Sequence, residues 1–157
     1  MARRKPSLYL ISILLFMLIL PVCCIFFQYK EGASFGWPLT GKWFVFWAVG
    51  IRLFIAGIRQ ATKPEFTAKE IFNINGTDSL AIIKELGFGN ISIGLLGMLS
   101  ILKSAWCQPA AIVGGLYFGL AGLLHVTKRP DSRNEVIAMI SDLYIYGLLL
   151  LYVIFTV

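Results

Sequence analysis

Leu8–Phe27 is twenty residues long and contains no charged side chain. A segment of that length and character covers the hydrocarbon core of a bilayer, which takes about 20 apolar residues as a helix. Four further stretches qualify with one or two charges each. Trp43–Ile58 carries Arg52, Ile82–Leu102 carries Lys84 and Glu85 at its start, Pro109–Val126 has His125 near its end, and Val136–Val157 has Asp142. Thr40 and Gly41 can start the second span a turn earlier. In a bilayer the backbone must satisfy its own hydrogen bonds, so apolar runs of this length read as helices. The expected fold is all-α: a transmembrane bundle of five spans, forming one domain over residues 1–157.

Composition agrees. The 157 residues are 58% hydrophobic and 14% charged, against about 45–50% and about 25% in soluble domains. Three cysteines cannot staple a secreted scaffold. Arg3, Arg4 and Lys5 before the first apolar run resemble the start of a signal peptide. The run is long, however, and lacks a small-x-small cleavage site, so it reads as a retained span.

Orientation follows from the loops. Arg3, Arg4, Lys5, Arg59, Lys63, Lys69, Lys84, Lys128, Arg129 and Arg133 fall on one side, and Lys30, Lys42 and Lys103 on the other. The positive-inside rule places the first set, with the N-terminus, in the cytoplasm and the C-terminus outside. Trp37, Trp43, Trp47 and Trp106 then cluster at the outer ends as interfacial anchors. This accounts for the net charge of +6 through topology and anionic lipid. No basic-aromatic stripe for nucleic acid is present. The location implied is a cell (inner) membrane.

The loops carry capping signals. Thr67-Ala68-Lys69-Glu70 suits a capping box opening a short interfacial helix through Ile71, Phe72 and Ile74. Asn75-Gly76-Thr77-Asp78 reads as a turn and cap for the third span. Ser132-Arg133-Asn134-Glu135 is a second capping box, after Pro130. Pro109 sits in a first helical turn, where its missing N–H does no harm. Pro21 should bend the first span.

Helices in lipid associate through small residues. Ala111, Gly115, Gly119 and Gly122 make one smooth stripe on the fourth span, and Gly87, Gly94 and Gly97, with Asn90, make another on the third. Both suit packing within the bundle, with homodimerisation through the same stripe as the alternative.

Polar groups inside spans are expensive and tend to pair or to face a cavity. At about 1.5 Å per residue, Arg52 lies roughly 10 Å from Arg59, Asn90 about 9 Å past Lys84, and Asp142 about 13 Å past Arg133. Glu85 and His125 lie shallower. All belong to the same half of the bilayer though they come from four helices. Arg52 shares a face with Ala48, Ala56 and Arg59, and Asp142 shares one with Tyr146. Glu85 lies with Gly89 and Ser92, away from Asn90. The expected cluster is Arg52 paired with Asp142 or Glu85, completed by Asn90, Tyr146 and His125. Arginine, with five donors, suits such a cluster. The cluster either satisfies itself and fixes helix register, or lines a pocket for a polar headgroup, a quinone or a small anion.

Cys23, Cys24 and Cys107 fall near the outer ends. They are candidate redox thiols, although they match no redox motif, and packing is their simpler role. No catalytic set, phosphate loop or metal-ligand spacing is present. A single histidine excludes a His–His haem or zinc site within one chain.

Arg52-Leu53-Phe54-Ile55-Ala56-Gly57, a polar loop, Glu85-Leu86-Gly87, Gly94-Leu95-Leu96-Gly97, and the run from Gly114 to His125 together resemble the DoxX-like small bacterial membrane proteins and related membrane families of unknown function. The resemblance covers roughly residues 43–157. It implies a four-helix core with the first span as an extra. Some members of that group serve as membrane subunits of quinone-linked sulfur or thiol oxidation, which implies a quinone or partner site around Arg52 and Glu85. Three functions follow as expectations. The first is an accessory or structural membrane subunit working through a protein partner or as a homo-oligomer. The second is a quinone- or lipid-binding subunit of an oxidoreductase. The third is a small transporter or channel titrating Glu85, Asp142 and His125.

Overall fold

In a computed structural model, residues 8–70 and 77–157 are described. They form five helices long and apolar enough to cross a membrane, and no strand occurs among them. These are α1 (Leu8–Lys30), α2 (Trp37–Thr62), α4 (Leu80–Leu99), α5 (Cys107–Lys128) and α6 (Arg133–Thr156). The short α3 (Pro64–Glu70) follows α2.

The second span begins at Trp37, six residues before the expected start at Trp43. Pro38 stands in its first turn, where proline is pre-set for helix. This moves Trp47 inward. It lies about 15 Å along the helix from Trp37, stacks on Phe16 at 6.1 Å and donates Nε1–H to Cys24 Sγ at 3.3 Å. Trp47 is therefore a packing residue between α1 and α2 and no interfacial anchor. Trp37, by contrast, stacks on Phe155 at 5.2 Å at the end of the bundle. The third span ends at Leu99 rather than Leu102, where Ser100 folds its hydroxyl onto the Gly97 carbonyl at 2.7 Å.

Pro21 acts one turn upstream of itself. Its missing N–H and its ring disrupt the ladder toward Met17, and Leu15–Ile19 widens into π-helix, with Leu20 N–H bonded to Leu15 O. A second π-helical stretch, Val45–Arg52, lies beside it in α2.

α2 is the central post. Its Val45, Ala48 and Val49 are fully buried. On one side it meets α1 through Gln28, whose Oε1 accepts from Trp43 Nε1 at 2.8 Å and Lys42 Nζ at 3.1 Å. On another side the glycine stripe of α4 presses backbone to backbone against it. A Cβ on Gly57 would stand 2.6 Å from Gly87 O, and one on Gly97 would stand 2.6 Å from Gly50 N. The α5 stripe packs on α6 instead, Gly119 beneath Tyr146 and Gly122 beneath Leu143. Both stripes are thus engaged inside one chain.

The capping box at Ser132 forms. Glu135 N–H donates to Ser132 Oγ at 3.1 Å, and Ser132 N–H donates to Glu135 Oε2 at 3.1 Å. The box expected at Thr67 does not form. α3 starts three residues earlier at Pro64, whose fixed φ suits a first helical residue, so Thr67 lies inside the helix and is buried. Ile71, Phe72, Ile74, Asn75 and Gly76 lie outside the described residues. Ser79 is the N-cap of α4, without a side-chain capping bond.

Candidate functional site: a polar cavity in the bundle

At the end of the bundle where α2 and α5 finish and α4 and α6 begin, the helices enclose a cavity of about 530 Å³. Every spanning helix contributes to its wall, and α3 closes part of its end with Phe66 and Thr67. That volume is in the usual range of small-molecule sites, about 300–1,000 Å³.

Most of the wall is apolar, and a polar layer crosses it. Arg52 is ten residues from the end of α2 and Asn90 ten residues into α4, each about 15 Å by helical rise. Asp142 is about 14 Å into α6, and Tyr117 about 17 Å from the end of α5, by the same rise. Arg52 stands over the face of Phe118, 5.6 Å from its centroid. It also interacts with the hydroxyl of Tyr9 from α1 and acts through space on the Asp142 carboxylate. Asn90 Nδ2 donates to Gln60 Oε1 at 2.7 Å, with Tyr117 alongside.

Two acceptors in this layer remain unpaired. Asn90 is 2% exposed and Asp142 7%, and neither Asn90 Oδ1 nor Asp142 Oδ1 meets a hydrogen-bond partner. Buried polar atoms nearly always have one. Both side chains line the cavity, so the donors these atoms require have room to enter there.

Nearer the end, Arg59 lies 3.4 Å above the Phe66 ring, and buried His125 lines the wall. Ile55, Leu120 and Leu124 also line it, and each is 45% exposed or more. The cavity therefore reaches the apolar flank of the bundle as well as its polar end.

Of the residues expected to cluster, Arg52, Asn90, His125 and Asp142 come together here. Glu85 does not. It is exposed, because the buried face of α4 is that of Ile83, Gly87, Asn90, Gly94 and Gly97. Its own face, shared with Gly89 and Ser92, points outward. Tyr146 is also absent from the cavity, since it covers Gly119 at the α5–α6 contact. Ala48, expected on the Arg52 face, is fully buried within the π-helical stretch that ends at Arg52.

Among the lining residues that escaped the reading of the sequence are Tyr9, Gln60, Phe66, Tyr117 and Phe118. Tyr117 carried a usable signal, since a tyrosine far from a span's end is no interfacial anchor. Gln60 stands two helical turns beyond Arg52 on the same face. The cysteines are free thiols with separate surroundings. Cys23 is exposed and Cys24 accepts from Trp47, while buried Cys107 interacts with Tyr152.

No protein-family model, no curated protein and no solved structure matches this chain.

Proposed function

We propose that the protein is a multi-pass subunit of a cell membrane that holds a membrane-borne amphiphile, of the lipid or quinone class, in the polar cavity. The N-terminus is cytoplasmic, and the cavity opens toward the inner leaflet. One observation carries the reading: two buried acceptors without partners, Asn90 Oδ1 and Asp142 Oδ1, belong to side chains that line a cavity walled by all five spans. A cluster serving only helix register would satisfy its own acceptors, as fully connected polar networks do. The exposed leucines and isoleucine at the rim suit an apolar tail lying among lipids. The resemblance to DoxX-like proteins, some of which serve as membrane subunits of quinone-linked sulfur or thiol oxidation, suits a binding role exercised through a partner.

The test is mass spectrometry of the protein extracted gently with its lipids and neighbours. The wild type carries a stoichiometric amphiphile, and Arg52→Ala, still folded, retains at least tenfold less of it. A folded Arg52→Ala protein with an unchanged ligand complement would refute the assignment.

A further inference from the structure

On the reading of the cavity as an amphiphile site, we infer that the head it accepts is uncharged and carries two hydroxyl donors. Such a head is the diol ring of a reduced quinone or the glycerol of a monoacylglycerol, and not a phosphate ester. Three features lead there. First, the deep layer is balanced in charge: Arg52 faces Asp142 electrostatically, and the other cation in the wall, Arg59, stands about 10 Å nearer the helix end by helical rise, over Phe66. An added anion at the depth of Arg52 would leave the layer with a net negative charge, in a region where uncompensated charge is strongly disfavoured.

Second, the two buried atoms of the layer without a partner, Asn90 Oδ1 on α4 and Asp142 Oδ1 on α6, are both acceptors. A head made only of acceptors, such as an oxidised quinone, would leave both unsatisfied, whereas a diol supplies one O–H to each. Discrimination by buried hydrogen-bonding groups is steep, since the analogue lacking them strands a desolvated partner. Third, Phe16, Tyr117 and Phe118 flank the layer and provide a wall for a flat or compact head. The exposed Ile55, Leu120 and Leu124 at the rim let a tail leave sideways.

The experiment uses the full chain in neutral detergent and four probes of matched tail length. These are an alkyl 1,4-benzoquinol kept reduced, the same compound oxidised, a 1-monoacylglycerol, and phosphatidylglycerol, which sets a diol beside a phosphate. Dissociation constants are measured by calorimetry. At least one diol binds tenfold or more tightly than both the oxidised quinone and phosphatidylglycerol, and which diol does so identifies the source. Asn90→Leu abolishes the preference of diol over quinone, and Ala121→Trp, which fills the cavity, abolishes binding altogether. Equal binding of quinone and diols, or tighter binding of phosphatidylglycerol lost in Ala121→Trp, would overturn the head-group inference while leaving an amphiphile site. Binding of none of the four would overturn that site as well. The wild-type panel decides by itself if a variant does not fold.

Discussion

Arg52 and Asp142 hold opposite charges in mid-membrane, and the value of each depends on the other. Removing one partner strands a buried charge, whereas removing both can be neutral or better. Asp142→Leu therefore lowers stability by about 3 kcal/mol, the scale of a lone charge at a helix centre. Arg52→Met with Asp142→Leu recovers most of that loss. Reversible unfolding in mixed micelles measures both, and a double variant no better than the single one would show the coupling to be absent. A second residue prediction concerns Arg129, which has φ 58° where α5 ends. Side chains other than glycine's are strained there, by about 1–2 kcal/mol. Arg129→Gly raises stability by about 1 kcal/mol on that scale, seen as a higher unfolding midpoint in the same micelles, and an unchanged or lower midpoint counts against the strain. At this scale much of the site could be read from the chain. Arg52, Asn90, His125 and Asp142 stood out because charge and amide groups are anomalous in apolar runs. Tyr9, Phe66 and Phe118 did not, because aromatic residues are ordinary in a membrane helix and only packing shows which of them meets a guanidinium.

Between elements, the glycine stripes settle which faces touch. The stripe on α4 was evident from spacing, and so was the grouping of Glu85 with Gly89 and Ser92 on another face, but Glu85 was expected to pair inward with Arg52 and is exposed. The partner surface was hidden. Gly50 and Gly57 of α2 lie seven residues apart on either side of Arg52, and two glycines at that spacing do not by themselves mark a packing stripe. The side facing inward then depended on a comparison that periodicity does not make. Backbone contact along the α4 stripe outweighs what a shallow carboxylate gains by pairing, so Glu85 stays outside. Two substitutions on neighbouring helices separate contact from propensity. Gly57→Ala puts a Cβ 2.6 Å from the Gly87 carbonyl and destabilises by about 1–3 kcal/mol, as overpacking does. Gly89→Ala meets nothing within 4 Å and is neutral or stabilises by up to about 1 kcal/mol through helix propensity. Equal effects at the two positions would refute the α2–α4 contact. Helix ends were harder to place for a related reason: Pro38 and Pro64 start α2 and α3, and a proline reads equally as a breaker or as a first helical residue.

The bundle as a whole is polar at one end of its interior and apolar through the other. Gln28, Lys42 and Trp43 make a small network far from the cavity, and Phe44, Val45, Val49, Ile145 and Leu149 form part of one buried apolar core. The cavity therefore addresses one leaflet only, and loop charge decides which. Among the described residues seven lysines and arginines lie in or beside the loops at the cavity end against three at the other, and the positive-inside rule then predicts that the cavity end faces the cytoplasm. Cysteine labelling in intact cells tests this directly. With Cys23, Cys24 and Cys107 replaced by alanine, Lys103→Cys, in the exposed turn between α4 and α5, reacts with a membrane-impermeant maleimide. Asp131→Cys, in the exposed turn before α6, reacts only after lysis. The opposite pattern would turn the molecule over and place the same chemistry at the outer leaflet. Labelling of both sites in intact cells would mean two orientations in one population, whereas the ten-to-three bias of loop charge in the sequence predicts one.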